Sequence, residues 1–239
     1  MDLGQTRVRA RIRARSRVLE PGGTMKPHKN HYTRTEEIAS SVTHGIGTGL
    51  AVAALAVLVF FAARTEDPWK VVSLSIYGTT LVILYLSSTL YHAFRNPSLK
   101  RFFRFLDHSS IYLLIAGTYT PLTLINLRGR WGWTLFGLIW GLAAAGIIMT
   151  ASLMGRSRLL GGLIYIGMGW LAVVAIKPLV QSVPPGGIFW LVAGGLAYTV
   201  GVVFYVWKKL PYNHAAWHLF VLAGSACHFI AIFRYVLPA

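Results

Sequence analysis

The sequence predicts an all-α membrane protein, a seven-transmembrane helix bundle, and three observations support this prediction. Hydrophobic residues make up 55% of the 239 residues and charged residues only 13%, whereas about a quarter of the residues in a soluble domain are charged. The charges are concentrated between long apolar runs. These runs are about 20 residues long, which is the length that a helix needs to cross the hydrocarbon core of a bilayer.

Seven apolar runs follow one another along the chain. They cover residues 38–63, 71–94, 105–127, 131–153, 159–181, 188–207 and 215–237. Each is expected to be a helix, because the bilayer core holds no water to satisfy exposed backbone N–H and C=O groups. The connections are short and contain turn residues, such as Pro97 and the segment 184–187.

The first 33 residues differ from the rest of the chain. Arginines occupy alternate positions from Arg7 to Arg17, and no apolar run follows them directly, so a secretory signal peptide is excluded. We predict a basic, disordered tail over 1–33 that contacts anionic lipid, followed by the seven-helix domain over 34–239. Alternatively, Met25 is the true start of the protein.

The distribution of basic residues predicts the orientation. Seventeen Lys and Arg residues fall in segments expected on one side of the membrane and five on the other. The positive-inside rule therefore places the N-terminus in the cytoplasm and the C-terminus outside. The net charge of +16 alone would suggest a nucleic-acid partner. None is expected, because the charges lie in the loops and one tail rather than on a soluble face.

Three histidines are expected at one depth, on the cytoplasmic side. His92 ends the second run, and His214 and His218 open the seventh. Ionisable groups at membrane depth are costly and therefore indicate a functional site. His214 and His218 are four residues apart, so they project from one helix face about 6 Å apart along its axis. Together with His92 they can hold one zinc ion, whose open fourth position is typical of catalytic sites.

Two further residues are candidates for catalysis at this site. Asp107 is expected at the start of the third helix, as the only acidic residue within the cluster, where it can orient a water or accept its proton. Ser88 lies four residues before His92 and can hydrogen-bond a ligand, the water or a developing oxyanion. Each also has a purely structural interpretation. Asp107 suits a helix N-cap, and Ser88 can bond to its own helix backbone or pack against a neighbouring helix.

The remaining histidines near the runs are given other positions. His228 lies ten residues beyond His218, about 15 Å further along the helix, and is expected to be a buried, hydrogen-bonded histidine outside the site. His44 opens the first run and is expected either beside the polar cluster or at a helix contact. His108 adjoins Asp107 and is expected to point elsewhere.

Several segments of the sequence resemble bacterial hemolysin III proteins. They are EEIASSVTHGIG (36–47), SSTLYH (87–92), LDHSSIY (106–112), GTYTP (117–121) and the segment 214–218. The resemblance extends from about residue 34 to the end of the chain. One departure is Ser40 or Ser41, where many relatives have Asn, and it leaves the histidines unchanged.

The resemblance implies more than the residues alone. Hemolysin III proteins belong with the progestin and adipoQ receptors, including the adiponectin receptors, which are seven-helix proteins with a cytoplasmic N-terminus. It implies zinc held by His92, His214 and His218, Asp107 in contact with the zinc-bound water, and Ser88 one turn before the helix-two ligand. It also implies a multi-pass protein of the bacterial plasma (inner) membrane with membrane lipids as partners. Ceramidase-like amide hydrolysis is implied by some relatives, and pore formation or control of membrane fluidity by others.

Several functions remain open at this point. The preferred hypothesis is a zinc-dependent hydrolase that cleaves an amide or ester bond of a lipid or fatty-acyl substrate. The second is a non-enzymatic membrane regulator or sensor in which zinc only links helices two and seven. Closed structural zinc sites usually have four protein ligands, and the three histidines therefore favour an open site. A pore-forming cytolysin is the third hypothesis, and a haem protein is the fourth.

Overall fold

The structure, a computed structural model, describes residues 32–153 and 158–239. The helices are α1 (Arg34–Ala63), α2 (Pro68–Ala93), α3 (Pro97–Pro121), α4 (Arg130–Leu153), α5 (Arg158–Gly169), α6 (Ile176–Ser182), α7 (Pro185–Val206) and α8 (Asn213–Ala231). A 3-10 segment, Trp170–Ala175, joins α5 to α6, and single π turns at Leu122–Asn126 and Ile232–Val236 extend α3 and α8. The described part of the chain contains no strand. Most of the predicted basic tail, residues 1–31, lies outside the described residues.

Prolines set the starts of α2 and α3. Asp67 caps α2 by accepting a hydrogen bond from the Trp69 backbone N–H at 2.9 Å, and Pro68 follows as the first helical residue. Asn96 caps α3 in the same way, ahead of Pro97. Proline favours the first helical position because its fixed φ suits the helix and its missing N–H would have no partner there. Pro97 therefore begins a helix rather than occupying a connection, and α3 starts well before residue 105.

Six helical units are long and apolar enough to span a membrane, where the sequence predicted seven. Among the described residues these units are α1, α2, α4, the continuous segment through α5 and α6, α7, and α8 with its π turn. α3 is excluded by its polarity. It packs between α2 and α4, and the polar side chains that it buries within the bundle are Asp107, Ser109, Ser110, Thr118 and Thr120.

The surface of the bundle is apolar and its interior partly polar, which reverses the pattern of a soluble protein. On α1, Leu50 is 62% exposed whereas His44 is 3% exposed. The buried residues of α1 recur every three or four positions, at Ser40, His44, Gly47 and Ala51. They form one stripe along the helix. An apolar outer surface of this kind suits contact with lipid tails.

Six of the helices form a ring. α1 contacts α2, α2 contacts α3, α3 contacts α5, α5 contacts α7, α7 contacts α8, and α8 returns to α1. α4 lies outside the ring against α3. The end of α2 and the start of α8 thus come together beside α1.

Candidate metal centre

Three histidines from two helices converge at one end of the bundle. His92 lies in the last turn of α2, and His214 and His218 lie in the first two turns of α8. One ring nitrogen of each lies within 4.8 Å of the others, and all three side chains are buried. The structure therefore brings together the three residues that the sequence predicts as zinc ligands.

The nitrogen spacing fits a metal ion. The Nε2 atoms of His92 and His214 are 3.2 Å apart. Two ligands of a tetrahedral zinc ion with bonds of 2.0–2.1 Å are separated by roughly 3.3 Å. The same distance also suits an N–H···N hydrogen bond between two imidazoles in the absence of an ion. Three imidazole nitrogens are a donor set that zinc accepts.

α1 supplies no histidine to this set but fixes the orientation of His92. The Nδ1 of His92 lies 2.7 Å from Oε2 of Glu37. Since an ionised carboxylate only accepts hydrogen bonds, Nδ1 carries the proton and Nε2 presents its lone pair to the cluster. The other oxygen of Glu37 accepts a hydrogen bond from Nζ of Lys100 at 2.8 Å. A carboxylate behind a ligating imidazole is a common device for setting its tautomer.

α1 orients His218 as well. The Nδ1 of His218 donates to the backbone carbonyl of Ser40 at 3.2 Å, because a carbonyl can only accept. This leaves Nε2 of His218 as the available ligand atom. Glu37 and Ser40 are three residues apart and so lie on one face of α1. One helix thus sets the tautomers of two histidines that belong to two other helices.

His44 lies further along the same face of α1. Its ring stacks on that of His218, with the centroids 3.5 Å apart and the planes 10° from parallel. The ring of Tyr85 contacts it edge-on at 5.0 Å. The prediction that His44 lies beside the polar cluster is confirmed, although it sits in the third turn of α1 and not at the helix start.

Asp107 and Ser88 are both buried at this end of the bundle. Asp107 is close enough to His92 and His218 to interact with both electrostatically. It lies inside α3, whose cap is Asn96, so the N-cap interpretation of Asp107 is wrong.

The hydroxyl of Ser88 has no hydrogen-bond partner among the described residues. The interpretation in which Ser88 bonds to its own helix backbone is therefore wrong. A buried hydroxyl without a partner is costly, which fits a group that pairs with a bound molecule.

An apolar cavity of about 170 Å³ lies within the ring of helices. Its walls come from α2, α3 and α5 to α8, and its lining includes Leu84, Trp217 and Val221. Trp217 follows His214 by one helical turn and Val221 follows His218 by one turn. The cavity is thus adjacent to the histidine cluster along α8.

Similarity to known proteins decides the family. A family model described as Haemolysin-III related matches residues 32–229. The chain belongs to the haemolysin III family. Hemolysin-3 of Bacillus cereus is 50% identical over 203 residues, which cover 85% of this chain and 93% of the relative. The Hemolysin-3 homolog of Bacillus subtilis (strain 168) is 46% identical over 204 residues, covering 85% of this chain and 96% of the relative.

More distant similarity extends beyond bacteria. The human monocyte to macrophage differentiation factor is 28% identical over 218 residues, which cover 88% of this chain and 89% of the relative. No solved structure matches the chain. Membership of the haemolysin III family, bacterial relatives and six apolar helices identify a multi-pass bacterial membrane protein.

In this haemolysin III protein, the predicted set of site residues was incomplete. Glu37 is a second acidic residue in the cluster, so the prediction that Asp107 is the only one is wrong. Its spacing was a usable signal, because Glu37 precedes His44 by two helical turns and therefore lies on the same face of α1.

The structure also places the two histidines that the sequence assigned outside the site. Nδ1 of His108 lies 3.5 Å from Oδ2 of its neighbour Asp107, but His108 does not belong to the group of histidines whose nitrogens converge. His228 lies outside the histidine cluster, and its Nε2 is 3.1 Å from the carbonyl of Leu191. The prediction of a hydrogen-bonded histidine outside the histidine cluster is confirmed, and His228 also lines the apolar cavity.

Proposed function

We propose that His92, His214 and His218 bind zinc and that the protein hydrolyses an amide or ester bond of a membrane lipid. The observation that supports this most strongly is a set of three buried imidazoles with converging nitrogens beside an apolar cavity. Zinc held by these three histidines would supply Lewis acidity and activate a water for attack.

The side chains around the cluster supply the remaining chemistry in this proposal. As the water oxygen attacks the carbonyl carbon, Asp107 accepts the proton that the water loses. It returns this proton to the leaving amine or alcohol when the carbon–nitrogen or carbon–oxygen bond breaks. The unpaired hydroxyl of Ser88 donates a hydrogen bond to the carbonyl oxygen as that oxygen gains charge. Glu37 keeps His92 in the tautomer that binds the metal.

The cavity supports a lipid as the substrate. Its lining is dominated by side chains such as Leu114, Ile166 and Val202, and burial of an acyl chain against them is favourable by about 0.8 kcal/mol per CH₂ group. A chain held there extends along α8 toward His218. Its polar end then lies at the histidine cluster.

We further propose seven crossings, with the N-terminus and the histidine cluster on the cytoplasmic side. We assign α3 as the seventh span because its 25 residues extend about 38 Å. This length is enough to cross the bilayer, with the neighbouring helices shielding its polar side chains from lipid. The excess of Lys and Arg supports the orientation, although part of that excess lies in residues 1–31 and 154–157, outside the described residues. Cysteines introduced at Ser98 and Arg128, which flank α3 and are exposed, test both points in a Cys227→Ser background. An impermeant reagent is expected to label Arg128→Cys from the outside of sealed vesicles and Ser98→Cys only from the cytoplasmic side. Labelling of both positions from one side would contradict α3 as a span, and the reverse pattern would contradict the orientation.

Lipid turnover by the purified, reconstituted protein tests the hydrolase. Wild-type protein is expected to release fatty acid from an amide or ester lipid, and Asp107→Ala to retain zinc while losing turnover. The absence of turnover by zinc-loaded wild-type protein across a broad lipid panel would contradict catalysis. That result would favour the regulator, in which the metal only links α2 to α8.

The name of the bacterial relatives, Hemolysin-3, supports one other candidate, a membrane-lysing pore. A water-filled pore needs a polar lining, and the cavity within the helix ring is apolar. Planar-bilayer recordings are therefore expected to show no discrete conductance steps. Reproducible steps from the purified protein would replace the hydrolase proposal with the pore.

A further inference from the structure

His44 is buried in the cluster, yet it has no part in the zinc chemistry described above. The side chain is 3% exposed. Neither ring nitrogen has a hydrogen-bond partner in the described part of the chain, and the nearby backbone of His218 lies outside hydrogen-bonding geometry. An unsatisfied buried polar group destabilises the folded protein. A phenyl ring would stack at this position without that cost, so the nitrogens need an explanation.

The stacking geometry excludes His44 as a fourth ligand of the same ion. A metal bonded to an imidazole nitrogen lies in the plane of that ring. The planes of the His218 and His44 rings are nearly parallel, and their centroids are 3.5 Å apart. A nitrogen of His44 would therefore lie farther than a bond of 2.0–2.1 Å from an ion held in the plane of His218. His44 would not complete the ligand set formed by the other three histidines.

The ring of His44 is also held firmly. His218 covers one face, and Tyr85 contacts the ring edge-on. Tyr85 is itself fixed, because its hydroxyl donates to Oγ of Ser225 at 2.7 Å. A side chain held in this way can present a hydrogen-bonding group in a defined direction.

We propose that His44 binds the polar group of the molecule that occupies the open metal position. This proposal rests on the zinc site proposed above and assigns the recognition of its ligand. A neutral imidazole has one N–H donor and one acceptor nitrogen. His44 therefore suits a ligand that joins an oxygen acceptor to an N–H or O–H donor, which describes an amide, a carboxylic acid or a hydroxamate. Esters, which lack the donor, form only one of the two bonds.

Acetohydroxamate binding to the cobalt-substituted, full-length protein tests this assignment. Cobalt reports its coordination through its visible spectrum, so metal binding and ligand binding are measured on one sample. His44→Phe keeps a flat ring against His218 and removes both nitrogens. It is expected to retain about one metal per chain and to bind acetohydroxamate about tenfold more weakly, the scale of loss when a ligand loses a hydrogen bond.

Further variants make the result specific. His44→Gln restores a donor and an acceptor and is expected to recover most of the affinity. His44→Leu removes both nitrogens with a smaller side chain, is expected to weaken binding as His44→Phe does, and serves if His44→Phe fails to fold. His228→Phe removes a histidine that lines the cavity outside the cluster and is expected to leave metal content and the affinity for the small ligand acetohydroxamate unchanged.

Three outcomes would overturn the proposal. Loss of metal from His44→Phe to the extent seen in His218→Ala would make His44 a ligand. Unchanged acetohydroxamate affinity in metal-loaded His44→Phe would show that His44 contributes only through packing. If wild-type protein takes up neither cobalt nor zinc, both the zinc site and this proposal are wrong. This result is obtained before any His44 variant is measured.

Discussion

The histidine cluster and the apolar cavity are neighbours within one bundle, yet they are built differently. At the cluster, side chains from different helices hold one another, as in the Glu37–His92 contact of 2.7 Å. Around the cavity, polar groups are mostly satisfied by nearby backbone. The Tyr119 hydroxyl, for example, donates to the Gly169 carbonyl at 2.8 Å and accepts from the Ala172 N–H at 2.7 Å, where α5 passes into the 3-10 segment. Polar specificity is concentrated in one region and apolar volume in the other, so substitutions should separate their functions.

The largest expected effect is the loss of the metal from the cluster. His218→Ala removes one of three nitrogens and is expected to abolish stoichiometric zinc binding, measured by metal analysis of protein purified without chelator. His228→Ala is the matched control on the same helix and should keep about one zinc per chain. Equal metal content in His218→Ala and wild type would contradict the proposed ligand set.

A smaller effect is expected from the helix that orients the ligands. Glu37→Gln keeps the shape of the side chain but weakens its hydrogen bond to His92 and its ion pair with Lys100. Zinc affinity should fall about tenfold or more, as measured by competition with a chromophoric chelator. The adjacent Glu36→Gln is the control, because Glu36 accepts from the Tyr212 backbone N–H instead. Similar losses in both variants would point to a general effect of charge.

A larger side chain in the cavity should weaken lipid binding without changing zinc binding. Ala172 lines the cavity, and Ala172→Phe is expected to weaken binding of a fluorescent fatty acid several-fold while zinc content stays unchanged. Ala145→Phe places the same ring on the exposed surface of α4 and should alter neither property. Loss of zinc in Ala172→Phe would show that the two regions are not separable.

The smallest effect concerns how closely α1 approaches its neighbours. A Cβ atom at Gly47 would lie 2.7 Å from Cδ1 of Tyr85 and 2.9 Å from Cδ2 of Leu222, whereas one at Gly49 has nothing within 4 Å. Gly47→Ala should lower the free energy of unfolding by about 1–3 kcal/mol and reduce the Tm accordingly. Gly49→Ala should leave the Tm unchanged or slightly higher. A higher Tm for Gly47→Ala would mean that Tyr85 moves aside freely.

These differences also show what could be predicted from the sequence. Apolar run length locates the helices, and the positions of His92, His214 and His218 at helix ends follow from it. The depth of Asp107 does not, because the start of α3 is set far upstream by Asn96 and Pro97. Asp107 resembles a helix N-cap in the sequence because the turns of α3 that precede it are basic and do not look like part of an apolar span.

The contacts of α1 were beyond sequence reasoning for a different reason. The pairing of Glu37 with His92 depends on the angle and depth at which α1 packs against α2. Ser40 acts through its carbonyl, a group that every residue has, so its side chain gives no signal. The stacking of His44 on His218 likewise requires the closure of the ring between α8 and α1.

The polarity of α3 has a consequence for how the protein is made. In the proposed seven-span arrangement, Asp107 and several hydroxyl side chains cross the bilayer within a helix that has little apolar surface of its own. Such a segment partitions poorly into lipid when it emerges alone during synthesis. Only residues 94–96 separate it from α2. We therefore expect α2 and α3 to enter the membrane together as a hairpin. Shortening α2 or lowering its hydropathy should leave α3 outside the bilayer.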